Sequence, residues 1–196
     1  MILETIVTTS SADGTPHLAP MGVHLSGPEY LILPFRPSTT LSNILATGCA
    51  VTNATDDVRV FAGCLTGRRD WPLVRADCVN GVRLMHTLSH TELELIRLDD
   101  DPVRPRLVCR AVHEAVHGPF TGFNRAQLSV IEASILVSRL DLLPPEKIEQ
   151  ELAFLRIGLE KTAGPRELEA WDWLMTRVAT WRRNAGWPVT PGAEET

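Results

Sequence analysis

The stretch Phe35-Arg36-Pro37-Ser38-Thr39-Thr40-Leu41-Ser42-Asn43-Ile44 sets a guanidinium, four hydroxyls and a carboxamide directly behind an apolar strand. A phosphate is recognised by that chemistry. An arginine fork meets two phosphate oxygens at once, and hydroxyls and the free N–H groups of a starting helix add neutral donors. Ser38 also reads as a helix N-cap, with Leu41 and Ile44 spaced by three for a core. The two readings are compatible, because a capped helix start is itself an anion site and differs only in whether a ligand completes it.

Outward from this stretch, residues 2–117 alternate short apolar runs with Gly, Pro, Asp and Asn, the pattern of an antiparallel barrel. Strands are expected near 2–9, 17–25, 30–35, 49–54, 82–98 and 106–117, with helices over 39–46 and 58–65. Leu84, His86, Leu88 and His90 form one face of the long fifth strand, and the later shift of apolar phase predicts a bulge near Thr91. Asp99-Asp100-Asp101 reads as a solvated hairpin loop. After Gly118 the period becomes helical, with helices expected over 125–139, 144–160 and 167–181. Trp171, Leu174, Val178 and Trp181 recur at three and four residues, which predicts core or dimer packing.

The order "TTSSADGTPHLAPMGV … YLILPFRPSTTLSNILATGCAVTNATDD" resembles the FMN-binding split-barrel proteins of the pyridoxamine-phosphate-oxidase and flavin-reductase type, and more narrowly the branch known as domain of unknown function 447. The resemblance implies an α+β fold: an antiparallel split β-barrel over residues 1–120, a helical subdomain over 121–187 and a flexible tail over 188–196. It implies FMN as cofactor, its phosphate held by Arg36, Ser38, Thr39, Thr40 and Asn43, and its ring beside the strand Pro20, Met21, Gly22, Val23. Many split-barrel oxidases carry a lysine in this loop. Here Thr40 and Leu41 stand in its place, so affinity leans on Arg36. The word "GFNRAQLSVIEA" adds Asn124 and Arg125 as cofactor or substrate contacts, against a local reading of Asn124 as N-cap. The resemblance further implies a homodimer with flavin at its interface and an oxidoreductase acting on a small, pterin-like acceptor. A flavin carrier or sensor, or a barrel for haem or another phosphorylated ligand, are the alternatives. His17, His24 and Trp71 are candidates to touch the ring or cover the substrate.

A net charge of −5 without a Lys/Arg block argues against nucleic acid as partner. No apolar run reaches a membrane span and the N-terminus lacks a leader pattern, so a cytoplasmic protein with free thiols at Cys49, Cys64, Cys78 and Cys109 is expected. The pairs His86/His90 and His113/His117 lie four apart on expected strands, where about 13 Å separates them, so neither is expected to share a metal ion; only cross-strand pairing brings one His from each together. No Ser/His/Asp order, paired carboxylates or Gly-x-Gly-x-x-Gly is present, which counts against a hydrolase. It does not count against a flavoprotein, since the flavin carries its own redox chemistry.

Overall fold

The computed structural model describes residues 1–186; Trp187 and the expected tail at 188–196 lie outside the described residues. The chain divides into two compact units, Met1–Asp56 with Arg69–Thr121, and Asp57–Arg68 with the residues from Gly122 onward.

The first unit is an antiparallel barrel. Its strands are β1 (Ile2–Ser10), β2 (Pro16–Ser26), β3 (Glu29–Ile32), β4 (Cys49–Ala54), β7 (Ser89–Asp99) and β8 (Arg106–Val116), closed in the order β1-β2-β3-β8-β7-β4. The short strands β5 (Leu73–Arg75) and β6 (Val82–Leu84) pair with each other as a separate ribbon. Closure is uneven. β1 and β2 pair from Ile2↔His24 to Ser10↔Pro16, whereas β2 meets β3 only through His24, Leu25 and Ser26. No described strand therefore pairs with the second edge of β2 from Pro16 to Val23, and the barrel is parted along that seam. Pro20, which has no N–H to donate, is tolerated on such an open edge.

The core of this unit is Val7, Val23, Ile32, Ala50, Leu93, Leu107 and Cys109, joined by Leu41 and Ile44 from the helix α1 (Thr39–Thr47). Each of the two α1 side chains contributes about 1.5–3 kcal/mol by leaving water. Gly48, with φ 73°, ends α1 in the left-handed conformation and returns its N–H to Ile44 O at 2.8 Å, so the chain turns at once into β4.

The expected strand over 82–98 is two strands. β6 leaves the barrel to pair with β5, and Met85 to Leu88 form the break. Polar side chains decide this: Leu84 N donates to Asn53 Oδ1 at 2.8 Å, and the buried Thr87 hydroxyl donates to Ala54 O at 2.6 Å and contacts Ser89 O at 2.9 Å. His86 is consequently exposed in the break and shares no strand face with His90. The predicted irregularity near Thr91 falls just beyond it, as register shifts at Glu92/Leu93 and Leu95/Arg97. The third strand, expected to residue 35, stops at Ile32.

The second unit contains α2 (Arg59–Leu65), α3 (Arg125–Val137), α4 (Pro145–Thr162) and α5 (Pro165–Asn184). Its core includes Val58, Ala62, Val130, Ala133, Ile148, Leu152, Leu174 and Val178, with Trp171 buried among them. The tryptophan pattern of α5 is thus core packing. A Cβ at Gly158 would stand 2.7 Å from Ser129 Oγ, so glycine is what lets α4 approach α3. Segment 57–68 was expected inside the barrel domain, but Val58 and Ala62 place their apolar side chains in this helical core. Among the described residues no helix is long and apolar enough to cross a membrane.

Candidate functional site

Ser38 caps α1 as its sequence predicts: the backbone is extended, with φ −149°, and its hydroxyl accepts from Leu41 N at 3.3 Å. The first intrahelical bond runs from Ser42 N to Ser38 O at 3.1 Å. That leaves the N–H groups of Thr39 and Thr40 as the orphan donors of the first turn. Thr39 is exposed and Thr40 buried. Asn43 is buried and donates from Nδ2 to Thr9 Oγ1 at 3.0 Å, which fixes the helix on β1.

Arg36 stands beside this helix start in sequence, but its guanidinium has protein partners. Nη2 lies 2.6 Å from Asp100 Oδ1 and Nε donates to Asp101 O at 3.1 Å. Both side chains of the ion pair are well exposed, at 37% and 71%. An exposed pair of this kind is worth only about 0–1 kcal/mol, so an anion of higher charge can displace the carboxylate. The acidic run is therefore organised and not merely solvated: Asp100 holds Arg36, and Asp101 Oδ1 accepts from Val103 N and Arg104 N at 2.8 and 2.7 Å.

Pro20, Met21, Gly22 and Val23 lie on the part of β2 whose second edge is open. Alternate residues of a strand direct both N–H and C=O to one edge, so this segment presents backbone donors and acceptors that no strand satisfies. Val23 also lines a cavity of about 230 Å³ with Leu3, Thr5, Tyr30, Thr52 and Thr91. Gly22 has a local cause as well, since a Cβ there would meet Ile2 Cγ2 at 2.9 Å on the paired strand. His17 is half-buried with Nδ1 3.4 Å from Arg69 Nη1; desolvation and that guanidinium hold its pKa below the ordinary histidine value. His24 is half-buried at the point where β2 joins β3, and Trp71 is half-buried in the loop before β5.

In the helical unit Asn124 caps α3, accepting from Ala126 N at 2.7 Å and Gln127 N at 3.4 Å. Its Nδ2 donates to Thr162 O at 3.0 Å, so both ends of the carboxamide tie the start of α3 to the end of α4. Arg125 is exposed.

A second constellation was not legible as a motif. Glu92 of β7 is fully buried and accepts from Asp77 N, Cys78 N and Val79 N at 2.6, 2.8 and 2.7 Å. Burial pushes its pKa up, but these three N–H groups and His90 outweigh it and hold the carboxyl below its ordinary range. His90 Nε2 is 3.1 Å from Glu92 Oε1 and its Nδ1 is 2.8 Å from His117 Nε2. His113, cross-strand from Glu92, brings Nε2 to 3.4 Å from Asp77 Oδ2. Cross-strand pairing thus assembles three of the histidines that sequence spacing had kept apart. The available signal was the i, i+2 pair His90/Glu92 on one strand.

A six-stranded antiparallel barrel parted at one seam, with a capped helix start following its third strand, is a split barrel of the flavin-reductase type with a helical C-terminal unit. The chain belongs to the family described as protein of unknown function DUF447: the profile of the family's N-terminal domain matches residues 3–118, and a second profile of the family matches 124–176. An FMN-bound protein of that family from Methanosarcina mazei superposes with a TM-score of 0.78 at 20% identity, over 90% of this chain and 94% of that one. Component B of a nitrilotriacetate monooxygenase from Mycobacterium thermoresistibile gives 0.52 at 17% identity, over 62% of this chain and 73% of that one. BorF, the flavin reductase component of a bacterial two-component tryptophan halogenase, gives 0.50 at 17%, over 61% and 82%. At these identities the likeness establishes the fold. No curated protein matches the chain.

Proposed function

We propose that this protein binds FMN and acts as an oxidoreductase of the flavin-reductase kind on a small acceptor. The observation that carries the reading is the pairing of two unsatisfied backbone sets within one barrel unit: the open edge of β2 at Pro16 to Val23, and the N–H groups of Thr39 and Thr40 at the start of α1. An extended backbone edge suits the hydrogen-bonding rim of a flavin ring, and a helix start suits its phosphate. The likeness over nearly the whole chain to an FMN-bound member of the same family supports the same reading.

In this proposal Ser38, Thr39 and Thr40 supply neutral donors to the phosphate, and Arg36 supplies charge after exchanging Asp100 for a phosphate oxygen. Asn43 is a positioning residue, because its bond to Thr9 sets where α1 begins. Pro20 to Val23 face the ring through backbone groups. FMN, when bound, supplies the hydride and single-electron chemistry, so the chain need only bind, orient and exclude water. Arg125, which is exposed, is a candidate contact for cofactor or substrate, and a homodimer with flavin at its interface completes the arrangement. The acceptor is a small molecule, of which pterins are one class to assay.

The test is the visible spectrum of the purified protein, alone and titrated with FMN, for the native chain and Arg36→Ala. Saturable flavin uptake, about tenfold weaker in the variant on losing one charge-assisted contact, is expected. Absence of uptake by the native protein overturns the reading. Reoxidation of the reduced protein by one acceptor faster than by oxygen identifies an oxidoreductase; equal rates for all acceptors identify a flavin carrier.

A further inference from the structure

We propose that Asp77, His90, Glu92 and His113 form a structural site for a four-coordinate divalent transition-metal ion of the zinc class, fastening the β5–β6 connection to strands β7 and β8. One ligand-type atom from each of the four residues lies within 4.8 Å of all the others. The measured separations are 3.1 Å from His90 Nε2 to Glu92 Oε1, 3.6 Å from His90 Nε2 to Asp77 Oδ2, and 3.4 Å from His113 Nε2 to Asp77 Oδ2. Zinc bonds to nitrogen and oxygen of about 2.0–2.1 Å in a tetrahedron require ligands about 3.3 Å apart. Three of the six edges are already close to that length, and the other three lie within 4.8 Å. Two imidazoles and two carboxylates are also a donor set suited to zinc, in contrast to the all-oxygen sets that hold calcium or magnesium.

The surroundings are those of held ligands. Both ligating imidazoles direct Nε2 into the cluster, and the opposite nitrogen of His90 is engaged by His117 Nε2 at 2.8 Å, which fixes ring orientation. The Oε2 atom of Glu92 accepts from Cys78 N and Val79 N; Oε1 accepts from Asp77 N at 2.6 Å and faces His90 Nε2, so a second lone pair of Oε1 is the one available to an ion. The same N–H groups bind the loop that carries Asp77, so the carboxylate of β7 positions the ligand that comes from outside the strand. Charge completes the argument. Among the described residues the ion pairs of Asp77 and Glu92 are with histidine only, and neither is paired with lysine or arginine. A dication neutralises two carboxylates while leaving the imidazoles neutral, as ligation requires. Four protein ligands close the coordination sphere, which is the signature of a structural site.

The test reads the metal directly. Purified protein, flavin retained, is analysed for bound metal and then, after chelation, titrated with cobalt(II), read as a difference spectrum. One zinc per chain, and strong visible d–d bands of four-coordinate cobalt that zinc abolishes, are expected. Asp77→Asn and His113→Ala remove partly exposed ligands without touching the buried Glu92 network, so both remain folded by circular dichroism. Each should lose the cobalt bands and at least tenfold in zinc affinity, and His117→Ala should retain one site with about tenfold weaker binding. A native protein without stoichiometric zinc and without cobalt bands overturns the proposal and leaves a histidine–carboxylate hydrogen-bond network. So do bands unchanged in both ligand variants.

Discussion

The segment from Arg36 to Asn43 and the cluster around Glu92 are both polar constellations of the barrel unit, yet they are built in opposite ways. The first is continuous in sequence: a cap, two orphan N–H groups and an arginine within eight residues. Arg36 and Thr39 meet solvent, and Arg36 stands in a weak, exchangeable contact with Asp100, while Thr40 and Asn43 are buried behind them. The second draws on a loop and two strands, and its central carboxylate is fully buried with three backbone N–H groups on it. An adaptable binding loop and a rigid clasp are the two uses of polar residues that this difference separates, because burial raises both the strength of a satisfied network and the penalty for breaking it.

If that contrast holds, the largest effect belongs to Glu92→Ala. Leaving three buried N–H groups unpaired should cost about 3 kcal/mol of unfolding free energy in urea, whereas loss of less than 1 kcal/mol would show that water replaces the carboxylate. The pH dependence sharpens the same point. The folded pKa of Glu92 lies below its unfolded value, so its contribution is complete above the unfolded carboxyl's value of about 4.3 and is lost as pH falls through the folded one. Stability measured from neutral pH downward should fall more steeply for the native chain than for Glu92→Gln in that acid window. Equal slopes would break the assignment.

The helix start should give smaller numbers. Ser38→Ala is expected to lower stability by about 1 kcal/mol through the lost cap, and to weaken FMN binding if the same donors serve the phosphate. An affinity unchanged in a folded Ser38→Ala would confine Ser38 to capping. The smallest expected change has the opposite sign: Asp100→Ala frees the Arg36 guanidinium and should tighten FMN binding by about two- to fivefold at low salt, with little effect on stability. A weakened affinity there would mean that Asp100 presents Arg36 to the ligand. Thiol labelling offers a final check on burial. Cys78 alone is exposed and should react in the native state, while Cys109, its thiol pushed up to about 12 by burial, should react only after unfolding.

Strand and helix positions were legible wherever apolar period and punctuation agreed, as in β1, β2, α1, α4 and α5. The expected strand over 82–98 failed because its apolar alternation continues through the break, and what interrupts it is a pair of bonds to β4, from Leu84 N to the Asn53 carboxamide oxygen and from the Thr87 hydroxyl to Ala54 O. Segment 57–68 was misplaced for a similar reason: the apolar face of a seven-residue helix does not say which core it will join. At the candidate site, Ser38 as cap and Asn124 as cap were readable from residue type and position, since capping involves only the next few N–H groups. The engagement of Arg36 by Asp100 was not, because 64 residues separate them.

By itself, then, the sequence determined the class of fold, the α1 cap with its following core pair, the helical C-terminal portion and the family to which the chain belongs. Each rests on short-range periodicity, or on an order of words that needs no knowledge of where distant residues meet. Tertiary structure alone decided that β2 keeps an open edge, that α2 packs with the helices, and that Asp77, His90, Glu92 and His113 converge. The physical reason is common to all three. Strand register and the paths of the connections between strands bring chemically active side chains together over sequence separations at which no local propensity acts.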